Sequence, residues 1–392
     1  MHSEPTLAAA SIEDGPANDG VWHVALADSG DYTLPDAGPG MVVFWWLGRP
    51  VGHRLIDSAA TAPRSGRISA DALAQIRAEE RAAPRPQHAA SVVICTRDRA
   101  EALRQCLASL PHQTLAPREI IVVDNASRDA QTREVALAAG ATYLREDRPG
   151  LDFARNTGAR HATSPIVAYT DDDVILHRTW LERLVAAFDS PQIAAVTGLV
   201  LPAELATESQ RHFEAHWSFG RGYVRQDFDS ARFAAAHDGV FPAWEIGAGA
   251  SMAFRREVFE RIGYFDERLG AGQAGCSDDS EFWYRALASG LACRYEPRSV
   301  AFHFHRRTID GLAHQIHQYM RGHAAALLVQ HERTGIAANR HRALVHMPRW
   351  YAGRLLQRLR GARLPQDRFL REEVLGYCSG LWFYLRHRRE GR

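Results

Sequence analysis

The sequence predicts an α/β fold: a mostly parallel sheet with helices on both faces, preceded by a small β-rich unit and followed by a helical region. Three observations carry this. From Ser91 onward, short β-branched runs alternate with amphipathic stretches of helical period, the pattern of strand–helix crossover units. Before Pro84 and Pro86 the apolar clusters are short, aromatic and punctuated by Gly30, Pro35, Gly38, Gly40 and Gly48. After Ile309 helical periodicity dominates. The expected units are therefore residues 1–88, 89–308 and 309–392.

In order, residues 21–56 read as short strands with tight turns. Residues 69–81 read as a helix with Ser69 as cap, ended by the prolines. Strand patterns follow at 91–96, 119–124, 141–145, 166–170 and 193–197. The intervening helical stretches are 99–110, 127–139, 151–162 and 177–188. Residues 202–245 are expected to be irregular. Phe282 to Leu287 sits in a helix behind an acidic run, and Val300 to Phe302 is extended.

Composition narrows the chemistry. With 392 residues, 46% hydrophobic and 24% charged, the chain can bury a large core. No apolar run approaches the ~20 residues of a membrane span. All 47 basic Lys+Arg positions are arginine, which excludes phosphate-loop, Schiff-base and kinase-type lysines. The five cysteines form no CxxC pair and read as reduced thiols. The start of the chain lacks the pattern of a secretory signal, so a cytoplasmic location is expected. Net charge is +1, yet residues 1–40 hold seven acids (Glu4, Glu13, Asp14, Asp19, Asp28, Asp31, Asp36) and no arginine. Residues 340–392 hold thirteen arginines and four acids. Arg349, Arg354, Arg358, Arg360 and Arg363 interleave there with Trp350, Tyr351 and leucines, a pattern that suits either an anionic membrane surface or a solvated helical face. No nucleic-acid module accompanies them.

Ligands of open α/β sheets bind beyond the carboxyl ends of the strands. Those ends are polar here: Thr96-Arg97-Asp98-Arg99, Asp124-Asn125 and Asp171-Asp172-Asp173. The first turn has no GxGxxG, which removes the dinucleotide reading. Three adjacent carboxylates fit a divalent cation held by oxygen ligands, or equally a helix cap. A second acidic cluster, Asp278-Asp279-Ser280-Glu281, heads another helix. His303 and His305 share one side of an extended segment.

Taken in order, these motifs resemble family-2 inverting glycosyltransferases of GT-A fold over residues 91 to about 305. They are the segment from Ser91 to Arg99, Ile121-Val-Val-Asp124, Gly150-Leu-Asp-Phe-Ala-Arg155-Asn156, the aspartates 171–173, the segment from Gly247 to Arg255, Gly263-Tyr-Phe-Asp266, and Asp278-Asp279 with Arg285. Arg97, Asp98 and Asp278 stand where the family usually has tyrosine, asparagine and glutamate. The resemblance implies Asp279 as catalytic base and Thr96, Asp98, Asp124, Arg155, Asp171 and Asp172 at the nucleotide-sugar. It implies Asp173 and His303, in preference to His305, as ligands of Mn²⁺ or Mg²⁺. Asp278, Trp217 and Gly249 fall on the acceptor side. The implied partners are a nucleotide-diphospho-sugar, expected to be a UDP-sugar, and a carbohydrate or lipid-linked acceptor in glycan or polysaccharide synthesis. The location would be cytoplasmic, at most peripheral to the inner membrane face. A sugar nucleotidylyltransferase is disfavoured by the missing glycine-rich signature and lysine, and a silent binding subunit by Asp279.

Overall fold

The computed structural model describes residues 19–34, 38–56, 65–81, 83–236, 240–361 and 365–388. Of the charged residues at the two ends, Glu4, Glu13, Asp14, Asp36, Arg363, Arg389, Glu390 and Arg392 lie outside the described residues, as does Pro35. The chain opens with β1 (Val21–Ala25), β2 (Asp31–Thr33), β3 (Gly40–Trp46), β4 (Arg49–Ile56), β5 (Ser65–Arg67) and α1 (Ala70–Arg81). Strand β3 pairs in parallel with β1 and antiparallel with β4. Its sequence is buried on both faces, and alternation sorts the side chains. Met41, Val43 and Trp45 join the main core with Leu201, Leu205 and Phe302. Val42, Phe44 and Trp46 face Leu26, Ile56 and Leu73 under α1. One face of β3 thus joins the central core, and the other closes a smaller core of the N-terminal region.

The middle of the chain runs β6 (Ala90–Thr96), α2 (Ala100–Ser109), β7 (Glu119–Asn125), α3 (Gln131–Ala138), β8 (Thr142–Glu146), α4 (Leu151–His161), β9 (Ile166–Asp171), β10 (Val174–Leu176), α5 (Trp180–Ala186) and β11 (Ile193–Pro202). Then come α6 (Glu208–Trp217), β12 (Gln226–Phe228), α7 (Ser230–Ala234), β13 (Ser251–Arg255), α8 (Arg256–Ile262), α9 (Asp278–Ala288) and β14 (Ala292–His303). The nine-stranded sheet has the order β10-β14-β11-β13-β9-β6-β7-β8, with β12 beside β14. Strands β6, β7, β8, β9, β11 and β14 point one way; β10, β12 and β13 oppose them, so the sheet is mixed. Valines alternate across it: Val93 and Val123 pack on one face, Val92 and Val122 on the other.

Residues 202–245 are more ordered than expected. Thr207 and Gln210 form a reciprocal capping box that starts α6. The C-terminal region is α10 (Ile309–Thr334), α11 (Ala337–His341), a π-turn (Arg342–His346), α12 (Met347–Leu359) and α13 (Leu370–His387). No helix among the described residues is long and apolar enough to cross a membrane.

Candidate active site

The carboxyl ends of β6 and β9 open onto a cavity of about 1610 Å³. Asp171 closes strand β9 and β10 restarts at Val174, so Asp172 and Asp173 form the turn between them. Val174 is paired with His303 across the β10–β14 ladder, and the Phe304 N–H donates to the Asp173 carbonyl at 3.0 Å. That register brings the imidazole to the aspartates: His303 Nε2 lies 3.3 Å from Asp173 Oδ1. Among the described residues, one group of Asp, Glu, His and Cys side chains converges as metal ligands do, namely Asp171, Asp173 and His303, whose ligand atoms all lie within 4.8 Å of one another.

Asp172 plays a different part from its neighbours. It accepts from Thr96 Oγ1 at 2.7 Å and from Arg99 at 2.6 Å, while the other arm of the same guanidinium reaches Asp173 at 2.8 Å. Burial pushes the Asp172 carboxyl up to about 7 against the pull of Arg99. Asp173 is also buried, which acts to raise it, but His303 and Arg99 together hold it well below the carboxylate range. Burial raises Asp171, with Arg155 opposing. The sequence reading set Asp171 beside the nucleotide-sugar; the structure groups it with Asp173 and His303.

His305 lies outside the cavity, behind His303. The two Nδ1 atoms are 3.1 Å apart, and His305 Nε2 is 3.1 Å from the buried Glu214 Oε2 on α6. A carboxylate only accepts, so His305 donates from Nε2. Burial lowers the His305 pKa, which keeps its ring neutral and leaves Nδ1 as acceptor. His303 must then donate from Nδ1. Its Nε2 is turned to Asp173, whose charge draws the His303 pKa up against burial.

The helix α9 supplies the second acidic group. Ser277, in left-handed backbone at φ 67°, turns the chain into the helix. Asp278 is buried and ion-paired with Arg155 of α4, whose Nη2 stands 3.7 Å from Asp171. Asp279 faces the cavity beside Gly249, whose N–H donates to its Oδ2 at 2.8 Å, while Oδ1 accepts from the Ser280 N–H at 2.6 Å. A Cβ at residue 249 would stand 2.9 Å from Arg155 and 3.1 Å from Asp279, so glycine lets the acid approach this backbone.

Trp217, Gly249, Asp278, Asp279, Thr96, Arg155, the three aspartates and His303 all line the one cavity. Asp98 and Asp124 do not. Asp124 is fully buried and accepts from the Ser127 N–H at 2.8 Å, the Tyr143 hydroxyl at 2.8 Å and Arg145 at 3.2 Å. Asp98 turns to Arg128, accepting from its backbone N–H at 2.8 Å and its Nε at 3.0 Å. Both carboxylates are engaged by the protein just behind the cavity wall, and Arg97 and Asn125 face the cavity at those strand ends. Sequence reasoning missed Glu214, whose one signal was the capping-box spacing ahead of it, and Trp244 and Arg221, which carry none.

Mixed sheet, acidic strand ends and capping helices together make a GT-A fold. Residues 91–263 match the family description "Glycosyl transferase family 2". An uncharacterized glycosyltransferase of Mycobacterium bovis is 39% identical over 217 residues, 54% of this chain and 87% of the relative. The chain therefore belongs to glycosyl transferase family 2. A pre-mycofactocin glycosyltransferase of Mycobacterium tuberculosis is 28% identical over 259 residues, 63% of this chain; the chain spans half the length of that relative. In fold, it is similar to a mannosyltransferase from Pyrobaculum calidifontis in complex with GDP-Man and Mn²⁺. The TM-score is 0.53 at 19% identity, covering 79% of this chain and 94% of that one.

Proposed function

We propose that this chain transfers a sugar from a nucleotide-diphospho-sugar to an acceptor hydroxyl in one displacement that inverts the anomeric centre. The observation that carries this reading is the convergence on one cavity of a group able to hold a cation, Asp171, Asp173 and His303, with a separate carboxylate, Asp279, on the wall of the same cavity. Asp279 takes the proton of the attacking hydroxyl as the new C–O bond forms. The bond to the diphosphate breaks, and its electron pair leaves with the phosphate oxygen. Arg155 ties α4 to the head of α9 through Asp278 and so sets Asp279 against Gly249.

Two carboxylates and an imidazole suit Mn²⁺ or Mg²⁺, and an ion there supplies positive charge against the developing charge of the leaving diphosphate. Ligation would displace the proton that His303 shares with Asp173. A UDP-sugar is the donor favoured here, with a carbohydrate or lipid-linked acceptor. Peripheral contact with an anionic membrane is supported by α12, which exposes Trp350, Leu355, Leu356 and Leu359 between Arg349, Arg358 and Arg360.

The test is a thermal-shift screen of nucleotide sugars with and without Mn²⁺, followed by the anomeric configuration of the product. A donor should raise the midpoint by mass action, and more so with the ion. Equal shifts in chelator, or a product that keeps the donor's configuration, would overturn the metal-dependent inverting reading.

A further inference from the structure

Beyond Asp279 the cavity continues into an outer lobe that the transfer step leaves unused. Its wall is built by α10, the π-turn and α12. Trp244 marks the passage between the lobes: its carbonyl accepts from Arg221 Nε at 3.1 Å, and Arg221 lies close enough to Asp279 to feel its charge. The Arg342 guanidinium sits over the Trp244 ring, 5.3 Å from its centroid. His323 meets that ring edge-on, with centroids 5.2 Å apart. Met320 and Met347 continue the wall outward.

Arg342 has an unusual environment. Its Nε is fully buried without a hydrogen-bond partner, and no ion pair reaches the guanidinium among the described residues. Glu373, the carboxylate that lines this lobe, is already paired with Arg354 at 2.9 Å. The residue opens a π-turn, a helix defect that recurs at functional sites, and the widened turn sets both Arg342 and His346 into the cavity. A cationic guanidinium on the cavity wall with no carboxylate beside it among the described residues is left for an anion entering the lobe to neutralise. Its planar fork matches carboxylate and phosphate alike.

We propose that the outer lobe is an acceptor subsite selecting an acceptor that carries a carboxylate or phosphate group, held by Arg342 against the face of Trp244. This rests on the reading of the inner lobe as a sugar-transfer site, and the experiment separates the two.

The full chain, with its donor site saturated by Mn²⁺ and UDP or GDP, is titrated by calorimetry with n-octyl phosphate, n-octyl glucuronide and neutral n-octyl glucoside below micelle formation. At least one anionic probe should bind about tenfold tighter than the neutral one, the scale of a charged hydrogen-bonded pair. A phosphate preference identifies a phosphorylated acceptor, a carboxylate preference an acidic sugar. Arg342→Gln should erase the difference, Arg342→Lys should keep part of it, and Arg349→Gln, at an exposed position, should leave it intact. Nucleotide affinity in Arg342→Gln checks that the variant is folded. Equal affinity for all three probes, or a preference that survives Arg342→Gln, would overturn the proposal. Absence of any nucleotide binding by the wild type would instead sink the reading of the inner lobe, while the anion preference remains measurable on the nucleotide-free protein.

Discussion

Adjacent acids at the head of α9 have opposite environments. Asp278 is buried against Arg155, whereas Asp279 meets the cavity through Gly249. Asp279→Asn preserves shape and removes basicity, so donor and Mn²⁺ binding should persist while transfer slows by about 10²- to 10⁴-fold. Steady-state rates beside calorimetric donor affinity check this, and normal turnover would remove Asp279 from its role. Asp278→Asn should act differently, lowering thermal stability because Arg155 loses the nearest of its carboxylate partners in a buried site, keeping only Asp152 and Asp171 at 3.8 and 3.7 Å. The order of motifs made this pair legible in the sequence. Glu214 was not legible, because it sits 91 residues from its partner His305 and only the fold joins them. Since it fixes the His305–His303 hydrogen-bond chain, Glu214→Gln should weaken Mn²⁺ binding by about 10- to 100-fold, the usual consequence of losing an outer carboxylate. Metal titration followed by electron paramagnetic resonance reads this without any sugar donor; unchanged Mn²⁺ affinity would mean that His303 orients itself.

Most elements the sequence revealed bury an apolar face; α4 is the exception, burying Asp152, Arg155 and Asn156. The central strands announced themselves by β-branched runs, and α2 and α5 by leucine spacing. Helix α6 stayed hidden because its buried side is Ser209, Gln210, Phe213 and Glu214, which leaves no apolar stripe to detect. Strand β14 was read only at its end, since Arg294, Glu296 and Arg298 look like a solvated loop. In the fold they are buried and neutralised, Arg298 by Glu296 at 2.7 Å and Arg294 by Asp227 and Asp189 at 2.6 Å. Packing between elements also positions the base. Helix α10 lies on the turn that leads into α9, and a Cβ on Gly322 would stand 2.5 Å from both the N and O of Cys276. Gly322→Ala must therefore displace the Cys276–Ser277 turn or α10 itself. It should lower transfer by tenfold or more, on the scale expected for a misplaced catalytic group, with donor affinity little changed. A rate equal to wild type would show that the turn absorbs the methyl group without moving Asp279.

At the scale of the whole molecule, the three regions expected from the sequence pack against one another. One face of β3 lies in the main core, and Gly376 and Gly380 of α13 let it approach α10, where a Cβ would meet the His317 and Arg321 carbonyls at 2.3 and 2.2 Å. The C-terminal helices therefore pack on one another, α13 on α10, and α10 in turn meets the turn before α9 at Gly322. Leu359 is 85% and Trp382 65% exposed, and Trp350, 49% exposed, lines the cavity as well. Residues 340–392 carry nine more positive than negative charges, counted as thirteen arginines less four acids. Exposed apolar side chains amid arginines, with Trp350 at the cavity itself, suit a peripheral approach to an anionic bilayer, where each basic residue near the surface contributes ~1 kcal/mol and falls off within a Debye length. The chain should therefore float with vesicles containing phosphatidylserine at low ionic strength and be released by about 0.5 M salt. Trp350→Ser with Leu359→Ser should reduce flotation while leaving nucleotide binding intact. No recovery with either vesicle would return α12 to a solvated face and leave the acceptor to arrive from solution, and equal recovery with neutral and anionic vesicles would remove the arginines from the contact.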